Sequence, residues 1–111
     1  QFPCSHYGNF LYLYVRVISI KKLKDFWQKH ADSGQALKSW YAEAKKSDWQ
    51  KPNDIAIEYP SVSFISNNRV VFNIKGNKYR LICVIKYDFK IVYIRFIGTH
   101  ADYDKINAEE I

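Results

Sequence analysis

The chain has 111 residues, 48% apolar and 25% charged, a balance that suits one globular domain around one core and excludes a disordered chain. Its two cysteines, Cys4 and Cys83, are too few for a disulfide framework or a cysteine-spaced metal site, and no apolar run reaches the roughly 18 residues that span a bilayer. The formal charge of +6 is uneven: Arg69 to Arg95 holds seven basic residues against one acid, Asp88, while the stretch after His100 holds Asp102, Asp104, Glu109 and Glu110 against Lys105. Such a field suits a polyanion or an acidic protein partner, the alternative being an ordinary solvated face.

Residues 1–14, QFPCSHYGNFLYLY, contain no Asp, Glu, Lys or Arg and lack the basic start of a signal peptide. They read as an extension foreign to a single domain over 15–111, with no functional role. Val15 to Ser19 reads as a short first strand. Leu23, Phe26 and Trp27 recur at helical spacing and predict a helix from Ile20 to near His30. Asp32 or Ser33 can cap a second helix, whose stripe of Ala36, Leu37, Trp40, Tyr41 and Ala44 runs through about Lys46. Asp48 to Pro60, with Pro52, Asn53 and Asp54, reads as a loop with at most one helical turn.

After Pro60 the period becomes two. Ser61 to Ile65, Arg69 to Ile74, Lys78 to Tyr87 and Lys90 to Ile97 are β-branched or aromatic runs joined by short turn sequences, which predicts an antiparallel meander. Helices before strands point to an α+β fold, with the helices packed on one face of a twisted antiparallel sheet and the other face free for function. Alternation sends Arg80, Ile82, Val84 and Lys86 away from the more apolar Tyr79, Leu81, Cys83, Ile85 and Tyr87, making Cys83 a small core residue. On the last run Tyr93, Arg95 and Ile97 oppose Val92, Ile94 and Phe96, so Arg80 and Arg95 share the open face if the pairing register allows. Asn73 likewise alternates away from Phe72 and Ile74. Gly98 to Tyr103 then ends the strand and opens a short C-terminal helix. There Thr99 and Asp102 have capping-box spacing, and His100 and Tyr103 lie one turn apart on one face.

Cutting RNA without a metal needs a group to take the 2′-hydroxyl proton, cations to stabilise the phosphorane-like transition state, and an acid for the departing 5′-oxygen. Arg80 and Arg95 can supply the charge, since a guanidinium fork matches phosphate oxygens and keeps its proton. His100 can act as acid or base, and Tyr103 can orient or assist. No carboxylate cluster, glycine-rich phosphate loop or nucleophilic Ser or Cys motif competes, so neither a metal nor a cofactor is expected. Gly76, in Lys-Gly-Asn, reads as a hairpin turn only.

The segments Val70-Val71-Phe72-Asn73-Ile74-Lys75-Gly76-Asn77-Lys78-Tyr79-Arg80-Leu81 and Tyr93-Ile94-Arg95-Phe96-Ile97-Gly98-Thr99-His100-Ala101-Asp102-Tyr103-Asp104 resemble the HigB toxins of the RelE superfamily. The opening Val17-Ile18-Ser19 with Leu23 and Phe26-Trp27 fits as well, so the resemblance covers about Val15 to Ile106. It implies a bacterial, cytoplasmic toxin of a type II toxin–antitoxin system with the small, barrel-like RelE sheet. Its activity would be that of an mRNA interferase cutting translated messages in the ribosomal A site. It further implies Arg80 as phosphate stabiliser and His100 as general acid or base, with Arg95, Asn73, Lys78 and Tyr103 lining the RNA site. Lys75 is grouped with them as an RNA-binding candidate, and Lys22 is a candidate for contact with rRNA or mRNA. The implied partners are the ribosome, a HigA-like helix-turn-helix antitoxin, and operator DNA through that antitoxin, with no membrane. Two other readings remain open at this stage: a non-catalytic RNA- or ribosome-binding module, and an interaction domain for an acidic protein.

Overall fold

The computed structural model describes residues 15–111, so the expectation for residues 1–14 lies outside it. Strand β1 (Arg16–Ile18) leads into helix α1 (Ile20–Lys29), a single turn at Ala31–Ser33, and helices α2 (Gly34–Lys46) and α3 (Pro52–Glu58). Strands β2 (Ser63–Ile65), β3 (Arg69–Ile74), β4 (Tyr79–Lys86) and β5 (Ile91–Thr99) follow, and α4 (His100–Asp104) closes the order. The sheet is open, in the order β1-β5-β4-β3-β2, and antiparallel except where β1 lies parallel to β5. The architecture is thus the expected α+β one with a short C-terminal helix, and the strands lie within two residues of their expected ends.

Two expectations about the helical half need correction. The stretch from Asp48 to Pro60 holds more than one turn: α3 begins with Pro52 in its first turn, where a missing N–H costs nothing, and it buries Ile55 completely. Asp54 accepts from the Gln50 amide at 3.0 Å, and Trp49, itself buried, donates to Glu58 at 3.3 Å, so the segment is fixed from both ends. Neither Asp32 nor Ser33 caps α2 through its side chain, although Ser33 occupies the cap position. The Ser33 hydroxyl instead donates back to the His30 carbonyl at 2.6 Å, which satisfies a buried polar group locally.

The core lies between the helices and one face of the sheet. Leu23, Leu37, Trp40, Ala44 and Ile55 meet Val70, Phe72, Ile74, Tyr79, Leu81, Cys83, Ile85, Val92 and Ile94. Phe72 is the hub, with the rings of Trp40, Trp49 and Tyr59 5.4, 6.1 and 5.2 Å from its own. Alternation on β4 therefore runs as expected, and Cys83 is a buried core thiol.

On β5 alternation changes phase. Ile94 pairs with Cys83 but Phe96 pairs with Ile82, leaving Arg95 as the extra residue of a β-bulge. Below the bulge Val92 and Ile94 face the core as expected. Above it Ile97, opposite Leu81, packs on the core, and Phe96 shares a face with Ile82. The expected grouping of Arg95 with Ile97, against Phe96, is thereby reversed for the last part of the strand.

The side of the sheet away from the helices is also not wholly free. Val71 and Ile82 point there and are only 2% and 0% exposed. α4 packs against β4 and β5, and the segment from 105 to 111 hydrogen-bonds to Asn67, Arg69 and Arg95 across that side. Among the described residues no helix is long and apolar enough to cross a membrane.

Candidate active site

Arg80 occupies the second position of β4, just beyond a hairpin in which Lys75 and Gly76 adopt left-handed φ values of 54° and 69°. Its Cα partners are Asn73 on β3 and Gly98 on β5. The absent side chain of Gly98 leaves room that the Phe96 ring takes: a Cβ built there would stand 2.6 Å from Phe96 Cζ and 3.1 Å from Asp102 Cβ. The Arg80 guanidinium lies 5.3 Å from the centre of the Tyr103 ring, a cation–π stack that fixes its plane. Nη2 donates to Asn77 Oδ1 at 2.9 Å, while the buried Nε has no acceptor among the described residues. Arg80 is therefore oriented, its Nε is enclosed, and its outer Nη1 has no hydrogen-bond partner among the described residues, so the guanidinium keeps donors that suit a phosphate.

Tyr103 is held by α4, whose start is fixed by a full capping box. Thr99 Oγ1 accepts from the Asp102 amide at 3.1 Å, and Asp102 Oδ2 accepts from the Thr99 amide at 3.3 Å. The bond from the Thr99 amide, followed by the Thr99 side chain, holds the Asp102 carboxyl below its ordinary range. His100 is the first residue of α4, half-exposed, with Nδ1 3.3 Å from Asp104 Oδ2 one turn on. That contact sets a carboxylate beside Nδ1, and Nε2 is the ring nitrogen it leaves untouched. Asn73, beside Arg80, donates Nδ2 to the Ser61 carbonyl at 3.3 Å.

The remaining candidates sit in two other places. Lys78 and the Tyr79 hydroxyl both bind the Asp32 carboxylate, and Lys75 Nζ reaches the Asp32 carbonyl at 3.2 Å. The Lys78 bond, followed by that of Tyr79, lowers the Asp32 carboxyl to about 2. This ties the β3–β4 hairpin to the corner between α1 and α2. The Lys78 pair is exposed enough to be exchanged for another anion at little cost. Lys22, Asp25 and Lys29 of α1 line an open groove of about 330 Å³ with Phe26, Arg95, Phe96 and Ile97. Arg95, in the bulge, lies roughly 10 Å from Arg80 along the sheet by strand spacing and rise. Arg80, Asn73 and Tyr103 thus lie together, His100 precedes Tyr103 by three residues on the same short helix, Arg95 and Lys22 share a neighbouring groove, and Lys75 and Lys78 are engaged at the hairpin.

Two residues of this constellation had no expected role. Asn77 looked like turn filler, yet three residues before Arg80 on a tight hairpin it can reach back to that side chain; the spacing was its only signal. Asp32 looked like a helix cap, and its partners, 46 and 47 residues away, leave no local trace. Among the described residues no three His, Cys, Asp or Glu side chains gather as a metal ion would require.

The sequence profile of the HigB toxins, described as the RelE-like toxic component of a toxin–antitoxin system, matches residues 33–106. The mRNA interferase HigB of Escherichia coli O6:H1 is 27% identical over 94 residues, covering 83% of this chain and 91% of that protein. The mRNA interferase toxin HigB of Escherichia coli K12 and the mRNA interferase HigB of Shigella flexneri are each 27% identical over 96 residues, 85% of this chain and 92% of theirs. The profile match includes every expected site residue except Lys22, and it begins one residue after Asp32.

Proposed function

Since this chain belongs to the HigB toxin family, the RelE-like toxic component of a toxin–antitoxin system, we propose that it is an endoribonuclease that cuts translated mRNA in the ribosomal A site without a metal ion. The observation that carries the reading is Arg80: a guanidinium stacked on Tyr103 and held through Nη2 by Asn77, beside the short helix that bears His100. The relatives named mRNA interferases support the substrate.

In this reaction the 2′-hydroxyl loses its proton to a base and its oxygen attacks the adjacent phosphorus. The P–O5′ bond breaks, a 2′,3′-cyclic phosphate forms, and an acid returns a proton to the 5′-oxygen. His100 serves as acid or base through Nε2, with Asp104 steadying Nδ1. Arg80 stabilises the charge that builds on the non-bridging oxygens, and Tyr103 with Asn77 keeps the guanidinium from turning away. Asn73, Lys75 and Lys78 hold backbone on the hairpin side, while Arg95 and Lys22 take the flanking strand or rRNA along the α1 groove. The protein acts in the bacterial cytoplasm, where a helix-turn-helix antitoxin neutralises it and carries the complex to operator DNA.

Expression without antitoxin is expected to arrest growth and to leave new 5′ ends within translated messages in primer extension. Arg80→Ala is expected to slow cutting by about 10²–10³, the usual effect of removing one transition-state donor, and His100→Ala to abolish the arrest. Undiminished toxicity in both variants would sink these roles. Stalled ribosomes without new ends would mark a module that binds RNA and does no chemistry.

A further inference from the structure

Away from the helices, two arginines from strands on either side of β4 donate to one atom, while Arg69 Nη1 also donates to the Asn67 carbonyl at 3.3 Å. Arg69, opposite Val84 on β3, brings Nη2 to 2.6 Å and Nε to 3.3 Å from the main-chain oxygen of Ile111. Arg95, in the β5 bulge, brings Nε to 3.3 Å from the same oxygen. The segment that delivers this oxygen leaves α4 and doubles back across the sheet. Asn67 Nδ2 donates to its Glu109 carbonyl at 3.1 Å, and the Ser66 hydroxyl donates to the Glu109 carboxylate.

The charges of the two layers are opposed. Residues 102–110 carry four acids and one lysine, whereas the positions of β3, β4 and β5 on this side include Arg69, Arg80, Lys86 and Arg95 and no acid. Two guanidinium groups converging on one oxygen, Arg69 through two donors and Arg95 through one, are the donor arrangement that takes a phosphate oxygen. Arg69 stands four residues along the β3–β4 ladder from the Asn73–Arg80 pair, about 13 Å at the usual rise, on the same side of the sheet. An RNA strand whose scissile phosphate meets Arg80 can therefore run on to Arg69 and Arg95.

We propose that Arg69 and Arg95 form a second backbone-phosphate subsite for RNA, filled in the free protein by the acidic segment 105–111, which RNA must displace. The inference rests on the RNA-cutting reading above and extends it to a residue, Arg69, that had no part in it. Occupancy by the protein's own chain makes the subsite competitive: whatever holds the segment down weakens RNA binding, and whatever lifts it strengthens binding.

The test uses a fluorescent oligoribonucleotide with 2′-O-methyl groups throughout, which lacks the attacking hydroxyl, and anisotropy across a salt series. Arg69→Gln is expected to weaken binding about tenfold, as the loss of one charge-assisted contact implies. It should also reduce the slope of log K against log salt by about 0.7, one phosphate on a single strand. Glu109→Gln with Glu110→Gln should tighten binding several-fold at low salt and lose that advantage at high salt. Removing residues 107–111 should tighten it at every salt concentration. Wild-type affinity and slope in a folded Arg69→Gln would overturn the proposal; should that variant fail to fold, unchanged affinity after removal of 107–111 would overturn it instead. Arg80→Ala separates the two levels. If it weakens binding while Arg69→Gln does not, the subsite alone falls; if neither changes binding, the RNA reading of this face falls with it.

Discussion

Replacing Gly98 with alanine probes the junction on which the site depends. The added Cβ meets the Phe96 ring at 2.6 Å and Asp102 Cβ at 3.1 Å, against the roughly 3.5–4.0 Å at which carbon atoms attract. Gly98 does not have a left-handed φ, so the effect is steric rather than conformational. Phe96 is half-buried and its ring can swing part of the way out, whereas Asp102 is held by its capping bonds to Thr99. Overpacking of this kind costs about 1–3 kcal/mol, and partial escape of the ring favours the lower half of that range. At the usual unfolding entropy per residue, a chain of this size loses about 5 °C of melting temperature per kcal/mol, so a drop of about 5–10 °C is expected. Urea and thermal unfolding of Gly98→Ala beside its parent would measure it. Phe96→Leu should recover about 1 kcal/mol in a double-mutant cycle because it removes the colliding ring atoms. A melting temperature within about 2 °C of the parent, or no coupling to Phe96, would refute the packing account.

Three further outcomes follow from particular contacts. Thr99→Ala removes the α4 cap and should cost about 1 kcal/mol; because the Thr99 backbone amide, which alanine keeps, is the larger cause of the lowered Asp102 carboxyl and the hydroxyl the smaller, a carboxyl titration by NMR should show Asp102 rising only part of the way toward its ordinary range. Asp32 is depressed from 3.8 to about 2 in the folded protein, so its contribution is full above about pH 4 and fades as pH falls through about 2. Urea midpoints between those values should therefore fall more steeply for wild type than for Asp32→Asn, and parallel curves would contradict the latch. Burial pushes the Cys83 thiol well up, so in a Cys4→Ser background a thiol reagent should label the native protein no faster than it unfolds; rapid labelling would show the core to be open.

The sequence by itself determined whatever depends on neighbours a few residues apart. Helix α1 and the body of α2 follow from apolar spacing, the inward set on β4 from alternation, and the α4 cap from Thr99 and Asp102, because each signal and its physical cause lie within one or two turns of chain. The positions of Arg80, His100 and Tyr103 in the fold, at a strand end and a helix start, were legible for the same reason, and the roles proposed for them rest on those positions. The parallel seating of β1 on β5, the burial of Ile55 that makes α3 worth forming, the Asp32 latch and the return of 105–111 over Arg69 and Arg95 were decided only by the tertiary structure. The bulge at Arg95 shows why. Alternation counts residues along a single strand, whereas a bulge is one extra residue relative to a partner, and that count exists only once β4 and β5 have paired.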